Sequence, residues 1–218
     1  MAPTPIRERK AQATRGRIAK AALDLFVSRG FAETTIDQIA AAARVGRRTI
    51  FRHFATKDAI LFDHLVVRRD AAIELLHERP PAEPALVSLH AVLRELCVQG
   101  YDRRVLAKIR DVIAVNPSLA GQEFAVVIAF EANLTTAIQS RLGTPLSLEI
   151  YALTLMALSW FTAAIRIYLH ENRPSLVDCF DEIAAGCLRS AIHDLAPSLD
   201  APPTPDERPT KRRTRTAA

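Results

Sequence analysis

A short segment near the N-terminus combines several arginines with apolar side chains. Residues 47–54 read RRTIFRHF, and a further arginine, Arg44, lies three positions before them. On a helix, Ile50 and Phe54 share one face because they are four residues apart, which leaves the arginines on the other side. An arginine near the start of a helix in the major groove can donate two hydrogen bonds to guanine. The chemistry that this segment predicts is therefore the recognition of base edges in double-stranded DNA.

The residues on either side supply the elements that would position these arginines. Thr34 or Thr35 is a suitable N-cap for a helix that ends near residue 43, and a three-residue turn, RVG, precedes the basic segment. Val45 would fill the space under this turn. Helix, turn and short second helix together predict a helix-turn-helix. The alternative is an ordinary solvated amphipathic helix, which explains the arginines but not the cap and the turn.

Arg44 is an unusual residue for the turn between these two helices, where glycine is typical. If Arg44 adopts the left-handed backbone conformation, the cost relative to glycine is about 1 kcal/mol. Its side chain would then leave the turn beside a DNA backbone. The sequence leaves two interpretations open, a phosphate contact or a merely tolerated turn residue.

The positive charge of the chain is concentrated at its N-terminal end. The formal net charge of the 218 residues is +5, but residues 1–57 carry +8, residues 58–196 carry −5 and residues 197–218 carry +2. A basic end on a mildly acidic body favours a polyanionic partner that is bound at one end only.

Composition and periodicity predict an all-α protein. Hydrophobic residues make up 49% of the chain, and aromatic residues only 6%. Apolar residues recur at helical spacing between breaks marked by glycine and proline. We therefore expect about nine helices, over residues 7–29, 35–43, 47–53, 57–78, 84–98, 102–115, 118–141, 146–171 and 175–194.

The residues of the helix-turn-helix and its flanks resemble a known family. The stretch RIAKAALDLFVSRGFAETTIDQIAAAARVGRRTIFRHFATKDAIL, residues 17–61, is similar to the N-terminal DNA-binding domain of the TetR family of bacterial transcription regulators. The resemblance implies four parts: a flexible arm (1–6), a three-helix DNA-binding domain (7–56), a helical effector-binding and dimerisation domain (57–196) and a disordered basic tail (197–218). The tail would either attract phosphates or only aid solubility.

Position by position, the resemblance implies base-edge contacts for Arg47, Arg48 and Arg52. The side chains expected at the DNA backbone are Thr35, Thr49, His53 and Lys57. The chain departs from the family pattern in two places. Phe51 stands where a tyrosine is common, and Arg44 with Gly46 replaces the usual glycine and cap residue of the turn.

The resemblance also implies a homodimer formed by the last two long helices, about 146–171 and 175–194. The first of these is apolar nearly all round, and the second carries the small residues Ala184, Ala185 and Gly186, which would let a partner helix approach closely. The alternative is that both helices serve only the core of the monomer. The interrupting Arg166 favours a buried helix over a membrane span for 146–171.

A small-molecule effector would bind among the middle helices, if the family pattern holds. An apolar lining would favour a large hydrophobic molecule, such as a fatty-acyl species or a planar aromatic one. The candidate lining residues are Leu93, Cys97, Tyr101, Ile113, Phe124, Phe130, Asn133, Trp160 and Phe161.

Other functions find little support in the sequence. We see no nucleophile–base pair, no paired carboxylates, no glycine-rich phosphate loop and no metal-ligand spacing, so neither an enzyme nor a metal or other cofactor is expected. Three cysteines without ligand spacing indicate reduced, buried thiols in the cytoplasm. We expect a cytoplasmic, nucleoid-associated regulator, a repressor released from a palindromic operator by its effector. An architectural DNA-binding protein without an effector is the alternative.

Overall fold

The computed structural model describes residues 6–145 and 147–191, and all regular structure in this part of the chain is helical. The predicted all-α fold is confirmed. The predicted tail and all of the predicted arm except Ile6 lie outside the described residues. The ten helices are α1 (Ile6–Arg29), α2 (Ile36–Ala43), α3 (Arg47–His53), α4 (Lys57–Leu61), α5 (Asp63–His77), α6 (Ala85–Val98), α7 (Arg103–Ala114), α8 (Pro117–Leu142), α9 (Leu148–His170) and α10 (Leu176–Ser190).

The predicted single helix over 57–78 is in fact two helices, α4 and α5, which is why the count is ten rather than about nine. They separate at Phe62, whose backbone has φ −90° and ψ 7° and whose side chain is buried. The Phe62 N–H still donates to the Asp58 carbonyl at 3.0 Å, and a single residue separates the two helices. No proline or glycine lies at this position, so the break between α4 and α5 could not be predicted from the sequence.

The N-terminal core lies beneath the helix-turn-helix and extends beyond it. Its buried side chains from α1 to α4 include Ile18, Phe26, Ile39, Ile50 and Phe54, and Phe62 follows at the α4–α5 break. The same cluster also contains side chains from later in the chain, namely Ile109, Val112, Ile113 and Leu119 of α7 and α8. The DNA-binding helices therefore share one core with two helices of the body.

The second core fills the body and joins α5, α6, α8, α9 and α10. Fully buried members include Leu76, Leu93, Leu134, Ala164 and Phe180. By length and composition, α9 passes as a membrane-spanning helix. It nevertheless packs against α6, α8 and α10, as expected for the core helix of a globular body.

One of the three small residues of α10 is placed differently from the prediction. Ala184 is buried inside the protomer, against the second core, and is not available to a partner helix. Cys97 and Cys179 are buried as predicted, whereas Cys187 is exposed because it lies on the outer side of α10. Helical spacing shows which residues share a face, but not which face turns inward.

Polar contacts connect α7 to α1 and to the C-terminal end of α9. The Lys108 ammonium is 2.8 Å from the Asp24 carboxylate on α1. At the start of α7, the Arg103 guanidinium donates to the Tyr168 carbonyl at 2.7 Å, contacts Asn172 and Arg173 as well, and lies 3.9 Å from the centre of the Tyr168 ring. Arg103 thereby closes the C-terminal end of α9, where free carbonyls attract a cation. Through α7, the last turn of α9 is linked to α1.

Candidate nucleic-acid interface

The first residue of the predicted surface is fixed by a reciprocal cap at the start of α2. The Thr35 hydroxyl oxygen accepts from the Gln38 N–H at 3.3 Å, and the Gln38 side-chain oxygen accepts from the Thr35 N–H at 2.9 Å. This capping box satisfies two backbone donors that would otherwise have no partner. The Thr35 side chain remains exposed, and its hydroxyl hydrogen is still free to donate to a phosphate.

The turn between α2 and α3 depends on the backbone conformation of Arg44. Arg44 adopts the left-handed conformation, with φ 53° and ψ 49°. Its N–H donates to the Ala41 carbonyl at 3.2 Å, and the Val45 N–H donates to the Ala40 carbonyl at 3.0 Å. The carbonyls at the end of α2 are thus satisfied by the turn itself. The Arg44 side chain is exposed.

Helix α3 is held from below and is basic above. Ile50 and Phe54 are buried in the N-terminal core, and Val45 is half-buried beside them. The outward side chains are Arg47, Arg48, Phe51 and Arg52, with Thr49 half-buried among them. Phe51, at the position where the family often has tyrosine, is 49% exposed and offers no hydroxyl group to a phosphate.

Arg47 differs from its neighbours because it already has partners within the protein. Its guanidinium lies 3.3 Å from the Asp37 carboxylate of α2 and 5.8 Å from the centre of the Phe51 ring. Both members of this ion pair are well exposed, so the pair orients Arg47 at little energetic gain. Among the described residues, Arg48 and Arg52 form no ion pair and are the cations most available to DNA.

The end of α3 lies against a partly buried ion pair that the sequence did not reveal. The Arg15 guanidinium of α1 is 2.6 Å from the carboxylate of Asp63, the first residue of α5, and lies 5.0 Å from the centre of the Phe54 ring. Burial raises the pKa of Asp63, and the hydrogen bond from Arg15 opposes that rise. These partners are 48 residues apart in sequence, so no spacing pattern could indicate them.

His53 lies beside this pair and is half-buried. Burial lowers the pKa of His53, and the nearby charges of Arg52 and Arg15 lower it further, against a smaller opposite effect of Asp63. Its Nε2 atom is buried without a hydrogen-bond partner among the described residues. A contact from His53 to a DNA phosphate would therefore have to be made by Nδ1.

Lys57 is placed in a role that the sequence did not predict. Its ammonium donates to three carbonyls of the α1–α2 loop, those of Phe31 (2.6 Å), Thr34 (3.0 Å) and Ala32 (3.3 Å), and lies 4.4 Å from the centre of the Phe31 ring. A lysine has three N–H donors, and here all three are used. A phosphate contact by Lys57 stays a prediction, and it would require at least one of these bonds to break.

The residues predicted to line an effector site are only partly brought together. Five of them pack in the second core, with Tyr101 half-buried against its edge: Leu93, Cys97, Phe130, Trp160 and Phe161. The other three lie elsewhere. Ile113 belongs to the N-terminal core, Phe124 is 67% exposed on α8, and Asn133 is exposed and donates to the Ala129 carbonyl at 2.5 Å. Because α8 is apolar on several sides, its sequence could not show which side faces the body.

Comparisons with known proteins show what the N-terminal part of the chain is similar to. Residues 18–63 match the family model described as bacterial regulatory proteins, tetR family. The regulator TcmR of Streptomyces glaucescens is 27% identical over 203 residues, which cover 90% of this chain and 88% of TcmR. Residues 18–63 therefore carry a DNA-binding domain of the TetR type. The transcriptional repressor Rv3405c of Mycobacterium tuberculosis is 41% identical over 90 residues, 38% of this chain and 46% of that protein.

Two solved structures show that the likeness extends to the fold of the body. A TetR-family regulator from Syntrophomonas wolfei superposes with a TM-score of 0.56 at 17% identity, covering 85% of this chain and 98% of that one. NalD, the secondary repressor of the MexAB-OprM multidrug efflux pump in Pseudomonas aeruginosa, gives 0.54 at 17% identity, covering 83% and 96%. At this identity the likeness concerns the fold alone. These relatives are named as transcription regulators.

The contacts of Lys57 generate a prediction that separates a structural role from a DNA contact. Replacing Lys57→Met keeps the stem but removes the donors to three loop carbonyls. We expect the free energy of unfolding in urea to fall by about 1–3 kcal/mol, while the salt dependence of DNA binding stays unchanged. The control Lys20→Met removes an exposed lysine of α1 and should leave stability unaltered. Unchanged stability together with a flatter salt dependence would instead support the phosphate contact.

The left-handed Arg44 generates a second prediction. In Arg44→Gly the backbone strain is relieved, and the free energy of unfolding should rise by up to about 1 kcal/mol. If the side chain binds phosphate, DNA affinity at low salt should fall, and the salt slope should drop by about one per half-site. Arg44→Ala is the matched control, because it removes the charge but keeps the strain. Equal DNA affinity in both variants and the parent would reduce Arg44 to a tolerated turn residue.

Proposed function

We propose that the protein is a homodimeric repressor that binds a palindromic operator and leaves it when a small molecule binds. The observation that supports this most strongly is the basic outer face of α3, which is held to the core by Ile50 and Phe54. Arg48 and Arg52 would contact base edges. Arg47 would also contact a base edge, after its weak ion pair with Asp37 breaks. Thr35, Thr49, Arg44 and the amides at the start of α4 would bind phosphates.

Release from the operator requires two conformations with different recognition-helix spacing. Two α3 helices in successive major grooves must lie about 34–36 Å apart. A ligand can disfavour this arrangement only if it binds more tightly to the other conformation. The proposed lever is the pair α4–α5, since Asp63 at its break is bound to Arg15 and so connects the end of α3 to the body. Such a repressor would act in the cytoplasm, on the nucleoid.

One titration tests whether the protein is a regulator of specific sites. Footprinting on random genomic fragments should show a few protected palindromes, whereas uniform coverage would favour an architectural DNA-binding protein. Arg48→Ala should lower affinity for the palindrome by about 1–3 kcal/mol and relax the preference at one base of each half-site. The control Arg69→Ala, on α5 and paired with its neighbour Asp70, should change neither quantity.

The dimer part of the proposal rests on an apolar surface that α8 and α9 leave uncovered in the protomer. Tyr151 and Leu155 of α9 are exposed beside Val127 and Ile128 of α8, and Phe124 extends this surface. A groove of about 300 Å³ runs between the two helices, and Glu131 and Arg166 line it together with Val127, Leu155 and Leu158. We propose that α9 lies at the centre of the two-fold interface, flanked by α8 and by the exposed end of α10.

A charge placed on this surface should separate the protomers. In Leu155→Glu the carboxylate would be buried against an apolar partner surface, so we expect dimer dissociation to increase at least ten-fold. Val87→Glu is the control, since Val87 is an exposed residue in the first turn of α6. Sedimentation velocity measures both, and circular dichroism verifies that both variants fold. If Leu155→Glu dimerises like the parent, the interface lies elsewhere.

A further inference from the structure

A cleft of about 660 Å³ opens where α1, the α4–α5 break and α7 meet. It lies at the junction of the two cores and not among the middle helices, where the sequence predicted an effector. Tyr101 is the one residue of the predicted effector set among those that line it. Its volume is within the range of small-molecule sites.

Helix α1 leaves open space on its side of the cleft. Gly16 is in the middle of α1, where glycine is unfavourable relative to alanine. A Cβ atom added at Gly16 would have no atom other than its own chain neighbours within 4 Å, so packing does not demand the glycine. Across the cleft, Val67 of α5 and Val105 of α7 are 47% and 40% exposed. The cleft thus offers apolar side chains to an occupant that the protein itself does not supply.

The charged residues of the cleft leave a positive excess. Asp24 is paired with Lys108, and Asp63 with Arg15. The third carboxylate of the lining, Asp102, accepts from the backbone N–H groups of Arg104 and Val105. Lys20 on α1 and Arg104 on α7 also line the cleft, and in the described part of the chain neither forms an ion pair. Two cations from opposite sides, without carboxylates of their own, suit an anionic group that would lie between them.

One buried polar group is also left without a partner. The Tyr101 hydroxyl is buried and has no hydrogen-bond partner among the described residues. Its ring is fixed by the Arg68 guanidinium, 4.1 Å from the ring centre, and Arg68 itself is bound to the Leu96 and Gly100 carbonyls. A buried hydroxyl without a partner is unfavourable, so a polar atom of an occupant would be stabilised there.

We propose that this cleft binds a small amphipathic organic anion, with its apolar body between Val67 and Val105 and its anionic group between Lys20 and Arg104. Carboxylate, sulfonate and phosphate groups all suit this site, since each presents negatively charged oxygens to the two cations.

Because of the position of the cleft, such a ligand would act on the orientation of the DNA-binding domain. One wall, α1, belongs to the core beneath α3, and the opposite wall, α7, is fastened to the end of α9 by Arg103. A ligand that bridges Lys20 and Arg104 sets the separation of these walls and hence the orientation of α3. This consequence rests on the proposed function, whereas binding of the anion does not.

Two fluorescent dyes test the site on the full-length protein without DNA. 8-Anilinonaphthalene-1-sulfonate has an apolar body and a sulfonate, and N-phenyl-1-naphthylamine is its uncharged counterpart. Gly16→Leu should fill the open space and weaken both dyes at least ten-fold. Arg104→Gln should weaken only the sulfonate dye, by about five-fold. Arg110→Gln is the matched control, because Arg110 is on the same helix but pairs with Glu123 and does not line the cleft.

The possible outcomes decide the proposal. It is overturned if the sulfonate dye fails to bind, or if Gly16→Leu leaves both dyes unaffected in a variant whose circular dichroism matches the parent. An Arg104→Gln variant that binds the sulfonate dye normally would overturn the anionic class of the ligand.

The effect on DNA has its own measurement: saturating sulfonate dye should change operator affinity, and DNA should change dye affinity by the same factor. Dye binding as expected without any protected palindrome would refute the repressor function and leave the site standing.

Discussion

Four side chains from α7 and α8, Ile109, Val112, Ile113 and Leu119, complete the hydrophobic core beneath the DNA-binding helices. Without them the apolar underside of α1 and α4 would face water, at a cost of roughly 25 cal/mol for each Å² exposed. The basic face of α3 is therefore positioned by residues that follow it by more than fifty positions in the chain. Any movement of α7 must either carry the DNA-binding domain along or open this shared core.

The cations of the N-terminal region divide into two groups once their contacts are known. Arg15 and Lys57 bind acceptors of the protein itself, a buried carboxylate and three loop carbonyls, and so maintain the shape of the surface. Arg44, Arg48 and Arg52 point outward and remain available to a polyanion. The net charge of this region consequently overstates the number of contacts that DNA can make, because some of its cations already bind groups of the protein itself.

Local sequence patterns predicted the helices, the turn and the buried face of α3, since these depend on spacing and on caps within a few residues. The pairs Arg15–Asp63 and Arg47–Asp37 were not predictable, because tertiary folding alone brings their members together. The Thr35–Gln38 capping box had a readable signal, a threonine followed three residues later by glutamine. Two of the predicted effector residues on α8, Phe124 and Asn133, lie apart from the others for another reason. A helix that is apolar on several sides does not indicate which side the body covers, and Phe124 is on the uncovered one.

The shared core also limits how this protein can be recombined with others. A chimeric regulator joined after residue 62, just past the end of α4, would transplant the basic face of α3 without the four buried side chains that α7 and α8 contribute to its core. The donor segment has to bring along the face of α7 that carries Ile109, Val112 and Ile113, or the recipient body must present side chains of matching volume there. The helix-turn-helix motif is continuous in sequence. The residues that support it are not, because some of them belong to α7 and α8.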